Sequence, residues 1–359
     1  MKVLVTGGSG FIGSWVCEVL RGRGDEIAIL DLVDPVTEGP NAIVFDRFVK
    51  GDVRDPAACR AALAVLGGCD RVIHLAAAHH DFGIADETYF DVNERGTQVL
   101  LDAMDEAGCR DVVFYSTVAL YGDAPGKHEE TTVPQPNSPY GASKLAGEKV
   151  LEAWTERGDG RTALVIRPTV TFGPRNFANV YSLIRQIAGG KYVTVGAAKN
   201  VKSLSYVENI VECTFFLLAK DGRPAFDVYN WVEKPDLSSF GIAEVIHRHL
   251  GKTMPKWRIP MWAARLAALP FDALIAVTGR NIPISSARIV KLFETQTLFE
   301  ADKARAAGFE PSISLDEGLG RMVAWYQERG KDENAEWHQP PAEVVPFAGE
   351  TVVAGVAGG

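Results

Sequence analysis

The sequence predicts an α/β fold, a doubly wound parallel sheet followed by a smaller C-terminal α/β lobe. Three observations carry that expectation. Short apolar runs alternate with helical patterns through the first 168 residues. Gly7, Gly10 and Gly13 stand three apart just after the run Val3-Leu4-Val5. From residue 169 the alternation loosens, and Gly and Pro become common.

The β-type runs are VLV (3–5), IAIL (27–30), VIHLAA (72–77), DVVFYST (111–117) and ALVIRP (163–168), with helical patterns near 11–22, 56–66, 86–107 and 140–157. Strand–helix alternation of this kind buries a parallel sheet on both faces. Further helices are expected near 178–189, 206–219 and 239–250. We therefore expect a first domain at 1–168, a substrate-binding lobe at 169–330 partly interleaved with it, and a C-terminal tail at 331–359. The tail is turn-rich and without periodicity, so weak packing or none is expected of it.

Composition narrows the partners. The 359 residues carry a net charge of −9, which gives no electrostatic case for nucleic acid or an anionic membrane. The five cysteines are scattered without a CxxC pair, favouring reduced thiols in a cytoplasmic protein, with no metal site. The first residues read as a strand rather than a secretory leader. The longest apolar stretch, Ile259 to Val277, contains Arg265, Asp272 and two prolines, which argues against an integral membrane segment.

A strand, then Gly7-x-x-Gly10-x-x-Gly13, then a helix is the context in which a glycine motif holds a pyrophosphate. Without Cβ atoms the backbone can turn tightly, and the helix N-terminus receives the negative charge. This is a Rossmann-type signature. Asp31 ends the second strand, at the distance expected of an acid that accepts from the ribose hydroxyls and repels a 2′-phosphate. No Lys or Arg follows it before Arg47, so NAD is favoured over NADP. After the third strand, GDVRD presents Asp52 and Val53, where an acid can accept from the adenine amino group.

The chemistry follows the fifth strand, which ends Ser116-Thr117. Tyr140 and Lys144 lie four apart and so on one helix face. An ammonium beside a phenol stabilises the phenolate and lowers its pKa toward the working pH. Such a tyrosine can take an alcohol proton while hydride leaves the same carbon for nicotinamide. Thr117 can orient the substrate oxygen.

On these residues the sequence resembles the extended short-chain dehydrogenase/reductase family, the NAD-dependent nucleotide-sugar epimerases and dehydratases. The resemblance spans roughly residues 1 to 330, through TGGSGFIG, GDVRD, HLAA (74–77), FYSTVALYG (114–122), YGASK and RPTVTFGP (167–174). It implies that Thr117, Tyr140 and Lys144 form the catalytic triad, with Lys144 also on the nicotinamide ribose. It adds Phe11, Ile12, Leu75, Ala76 and Ala77 to the cofactor site, and it implies a homodimer. The pairing surface would be the helices near 86–107 and 140–157, through Val99, Leu100, Leu145, Val150 and Leu151. Dehydratases of the family carry Asp-Glu after the threonine, and decarboxylating members carry a glutamate there. This chain has Val118-Ala119. Epimerisation through a transient ketone, keto-reduction and alcohol oxidation remain.

For the substrate, the resemblance assigns Asn179 and Lys202 to a nucleotide diphosphate, with Arg288 as a second cation and Lys291 its rival. Val170 stands where the epimerases often have Asn. The loop AHHDFG (78–83) follows the fourth strand at its C-terminal end, where ligands bind, so His79, His80 and Asp81 can touch the sugar. The apolar segment 254–280 also resembles the C-terminal region of hydroxysteroid dehydrogenases. It reads as a lid helix, a membrane-surface helix or an apolar substrate wall, and its few basic residues make anionic-membrane docking weak. The leading expectation is an NAD-dependent C4 epimerase of a nucleotide sugar. Behind it stand a keto-sugar reductase, a 3β-hydroxysteroid-type dehydrogenase and a non-catalytic NAD-binding protein.

Overall fold

The computed structural model describes residues 1–79, 84–123, 126–278, 286, 296–333 and 352–354. His80, Asp81, Arg288 and Lys291 lie outside the described residues. Seven parallel strands form the central sheet: β1 (Lys2–Thr6), β2 (Glu26–Asp31), β3 (Arg47–Lys50), β4 (Arg71–His74), β5 (Asp111–Tyr115), β6 (Thr162–Pro168) and β7 (Phe226–Trp231). Their order across the sheet is β7-β6-β5-β4-β1-β2-β3, and Val352–Ala354 runs antiparallel to β3 at the edge. The chain winds outward from β1 in both directions. Thr6 therefore pairs with Leu30 on one side and His74 on the other, and the crevice above this reversal is where such sheets bind ligands.

Alternation along each strand builds two cores. Val3, Val5, Ile27, Ile29, Ile73 and Val113 face α1 (Phe11–Gly22) and the later helix α7 (Val207–Leu218). Leu4, Ala28, Leu30, Val72, Val112 and Phe114 face α2 (Pro56–Ala64), α4 (Gly96–Ala107) and α5 (Pro139–Glu156). A short helix α3 (Asp86–Phe90) runs into α4 through a π-turn at Asp91–Arg95. Two strands stop earlier than their apolar runs. Leu75–Ala77 leave the sheet after Leu75 N–H donates to Thr6 O, and Ser116-Thr117 turn away into a 3₁₀ turn at Val118–Tyr121.

β7 and α7 come from beyond residue 169 yet complete the central sheet and one of its faces. A third core lies in the remainder, where α6 (Asn179–Ala188), α8 (Ser239–His249) and the helix Leu315–Trp325 bury Ile184, Ile246, Leu319 and Tyr206. α9 (Met261–Thr278) buries Ala264 and Ala268 and belongs to none of the three cores. Leu100 and Leu151, assigned above to a dimer surface, are instead fully buried between α4, α5 and the sheet, so core packing already uses them.

Candidate active site

The glycine loop closes on itself. Gly7 N–H donates to Leu30 O and Gly10 N–H to Gly7 O. Gly7 has φ +71°, and a Cβ there would lie 2.6 Å from the Ala76 nitrogen. That position requires glycine on both counts. Gly10 caps α1 without a side-chain bond, and the first turn of α1 holds no acid. Its N–H groups are therefore open to an anion.

A cleft of about 420 Å³ gathers the predicted cofactor residues. Gly7, Gly10, Phe11, Ile12, Gly13, Asp31, Asp52, Val53, Leu75, Ala76 and Ala77 all line it. The Asp31 carboxylate accepts from Ser9 N–H at 3.0 Å and Val33 N–H at 3.2 Å. Burial raises its pKa against those two bonds. Within the cleft both Asp52 oxygens also accept from Arg54, which reaches Asp91 at 2.7 Å. Arg54 lines the cleft as well and had no distinguishing mark in the sequence.

Thr117, Tyr140 and Lys144 line the same cleft. Ser138 caps α5 by accepting from Gly141 N–H, and Pro139 opens the helix, so the local sequence itself sets Tyr140 in the first turn. Lys144, one turn on, is 1% exposed and lies 4.0 Å from the centre of the Phe114 ring. Burial lowers its pKa to about 7, opposed by the Glu148 carboxylate one turn further along. Beneath the cleft, burial and then Lys144 lower the His74 pKa to about 3, so a neutral ring bridges Thr6 and Thr97. Thr117 Oγ1 accepts from Ala119 N–H at 3.1 Å, which leaves its own O–H free to point at a ligand. The neighbouring Ser116 hydroxyl is buried in the cleft wall with no hydrogen-bond partner.

Two networks hold these groups. Asn93, within the π-turn, donates to Ala78 O and Ser143 Oγ, both at 2.9 Å, and accepts from Ala78 N–H. It thereby ties the loop after β4 to α5 beside Lys144. Arg167 makes a two-pronged bond to Glu148 and donates to the Tyr121 hydroxyl at 2.7 Å; that hydroxyl in turn donates to Asn230. Both networks join residues far apart in sequence, and no local spacing announces them.

The substrate side is less completely assembled. His79 lines the cleft and is exposed, with Nδ1 3.2 Å from Ala77 O. Asn179 opens α6 at the surface next to Ala178, which lines the cleft, although Asn179 itself does not. Asn176, three residues earlier, is buried in the wall and accepts from Ala178 N–H at 2.7 Å. The resemblance pointed to Asn179 through its match to the asparagine that the epimerases carry at a helix start; Asn176 had no such match. Lys202 is half-buried in a short strand paired with Leu237–Ser238, away from the cleft lining. Val170 is exposed, while Thr169 and Thr171 on either side of it face the cleft.

The arrangement fits a dinucleotide: a bare helix N-terminus for the pyrophosphate, a carboxylate at the end of β2 for a ribose, and a phenol and ammonium at the far end. Comparison with known proteins agrees. The family model described as NAD dependent epimerase/dehydratase family matches residues 3–231. An N-acetyl-alpha-D-glucosaminyl-diphospho-ditrans,octacis-undecaprenol 4-epimerase of Escherichia coli O157:H7 is 37% identical over 326 residues, 90% of this chain and 95% of the relative. A dTDP-glucose 4,6-dehydratase of Streptomyces niveus is 28% identical, covering 95% of each. Among solved structures, the UDP-glucose 4-epimerase of Thermus thermophilus in complex with NAD has a TM-score of 0.71 at 25% identity, covering 92% of this chain and 100% of that one. The chain belongs to the NAD-dependent epimerase/dehydratase family, as an enzyme of the extended short-chain dehydrogenase type that uses NAD.

Proposed function

We propose that the enzyme interconverts the C4 epimers of a sugar carried on a diphosphate, through a transient 4-keto sugar. The observation that carries this reading is the joint placement of Thr117, Tyr140 and Lys144 in the cleft of the glycine loop, with Val118 and Ala119 where the dehydratases have acids. No carboxylate follows Thr117 to drive elimination of water. NAD, when bound, supplies a hydride acceptor that can return the hydride to either face of the ketone.

The chain's own residues do the rest. Tyr140 takes the C4 hydroxyl proton and later returns it. Lys144, desolvated beside it, gains from a phenolate neighbour and so favours the ionised tyrosine. Thr117 donates its free O–H to the C4 oxygen, and the unpartnered Ser116 hydroxyl is a second donor in the same wall. Asp31 selects a free ribose hydroxyl pair over a 2′-phosphate. His79, Asn176 and Asn179 border the sugar and diphosphate side, as does Asp81 by its place in the loop after β4. The diphosphate role of Lys202 and Arg288 rests on the resemblance alone, since Lys202 is not in the cleft lining and Arg288 lies outside the described residues. A homodimer through the half-buried Val99, Leu145 and Val150 completes the proposal.

The carrier on the far side of the diphosphate is a nucleotide on the resemblance of the motifs. A polyprenol is the second reading, favoured by the 37% identity to an epimerase named for such a substrate. NMR of the purified enzyme with UDP-, dTDP- and GDP-sugars, and with a polyprenyl-diphosphate sugar, tests both. A C4 epimer without accumulated NADH is expected. A stable keto sugar or net NADH would replace the epimerase reading with a dehydrogenase.

A further inference from the structure

α9 is apolar apart from Arg265 and Asp272, which share one side, and Thr278 at its end. One side buries Ala264 and Ala268. The opposite side carries Trp262, Leu266, Leu269 and Val277, exposed at 70%, 60%, 54% and 85%. At 3.6 residues per turn these four fall within about 80° of arc. Trp257, just before the helix, is 60% exposed. An outward apolar stripe this wide marks an interaction surface.

Among the described residues from 252 to 278 the exposed charged side chains are all cationic. Lys252, Lys256, Arg258 and Arg265 are exposed, and the single carboxylate between Thr253 and Thr278, Asp272, is bonded to Ser286. The fold adds another cation. The strand Arg258–Ile259 pairs with Thr194–Val195, Arg258 stacks 4.6 Å over Phe240, and Phe240 N–H donates to Ala198 O. That brings the exposed Lys199 to the same end. In a chain of net charge −9 this is a local reversal.

We infer that α9 and its basic rim form a docking surface for an anionic lipid bilayer, with the helix lying flat at the headgroup level. Apolar stripe, flanking Trp and cationic rim are the three features of an interfacial helix. It lies on the bilayer rather than across it: α9 has 18 residues including Arg265 and Pro270, and among the described residues no helix is long and apolar enough to span. In a two-fold pairing of this surface with itself the rim would set cation against cation, which selects an anionic bilayer over that pairing. The inference rests on the helix and its charges and is independent of the epimerase reading. If the carrier is a polyprenol, docking also brings the lobe that borders the cleft to the surface where such a substrate resides.

The test is sedimentation of the full chain with vesicles of phosphatidylcholine alone, or with about one third phosphatidylglycerol. At least tenfold stronger partition to the anionic vesicles is expected, falling as salt rises. Trp262→Glu with Leu266→Glu should lower partition at least tenfold, while melting temperature and NAD affinity stay unchanged because both positions are exposed. Lys199→Glu with Lys256→Glu should lower it on the anionic vesicles alone. Absence of wild-type sedimentation with either vesicle would overturn the inference. So would an apolar double variant that sediments normally but changes its mass by light scattering, which would make the stripe an interface between copies. Epimerisation of a soluble sugar, followed without vesicles, reports separately on the catalytic reading.

Discussion

The cleft half of the molecule and α9 use similar residues in opposite ways. β1 hides Val3, Leu4 and Val5 at 1% exposure or less, and its neighbours wrap a lysine, a histidine and a serine in the same dry interior. α9 turns Trp262, Leu266 and Val277 outward beside a rim of cations. In the first region apolar burial sets the electrostatics of a few polar groups. In the second, apolar surface is itself the feature on offer. Hydrophobic content therefore predicts function only once its direction is known.

The widest separation between the regions should appear on breaking the buried Arg167–Glu148 pair. Arg167→Met leaves a carboxylate desolvated and frees Tyr121, and should cost about 3–5 kcal/mol in urea unfolding. A loss below about 1 kcal/mol would show that the network does not hold the cleft.

Next comes chemistry without folding. Tyr140→Phe should keep the fold and NAD affinity and lose at least about a hundredfold in turnover, some 2.7 kcal/mol. Turnover near wild type would remove Tyr140 from the mechanism.

Lys144 sharpens the contrast through pH. Its folded pKa of about 7 lies below the ordinary 10.5, so between those values the unfolded chain binds a proton the folded chain lacks. Stability contributed at this site therefore rises with pH through that window, by up to about 1.4 kcal/mol per pH unit. Lys144→Met should flatten the slope relative to wild type. Parallel stability–pH curves for the two proteins would refute the burial argument.

The smallest effect belongs to α9. Leu266→Ser should shift unfolding by no more than about 0.5 kcal/mol, since the side chain is already 60% exposed. A larger loss, measured by the same urea titration, would mean that the stripe is covered in solution.

The sequence by itself determined the elements and the loop between β1 and α1. Strand alternation, the Ser138-Pro139 cap and the glycine spacing are local, and local physics decides them: period, capping and the space a Cβ would need. It also placed Tyr140 and Lys144 on one helix face, because four residues make about one turn. The tertiary structure alone decided which partners those residues meet. Asn93 reaches Ser143, Arg54 occupies Asp52, Ser116 is left without a bond, and Asn176 rather than Asn179 enters the cleft wall. β7 joins the central sheet from beyond residue 169, and the segment that carries Lys199 is held to Phe240, on which Arg258 stacks. Sequence reading counted the few cations within the apolar segment and judged its attraction to anionic lipid weak. The fold adds charge from another segment, because electrostatics and packing depend on distance in space, and distance along the chain carries little of that information.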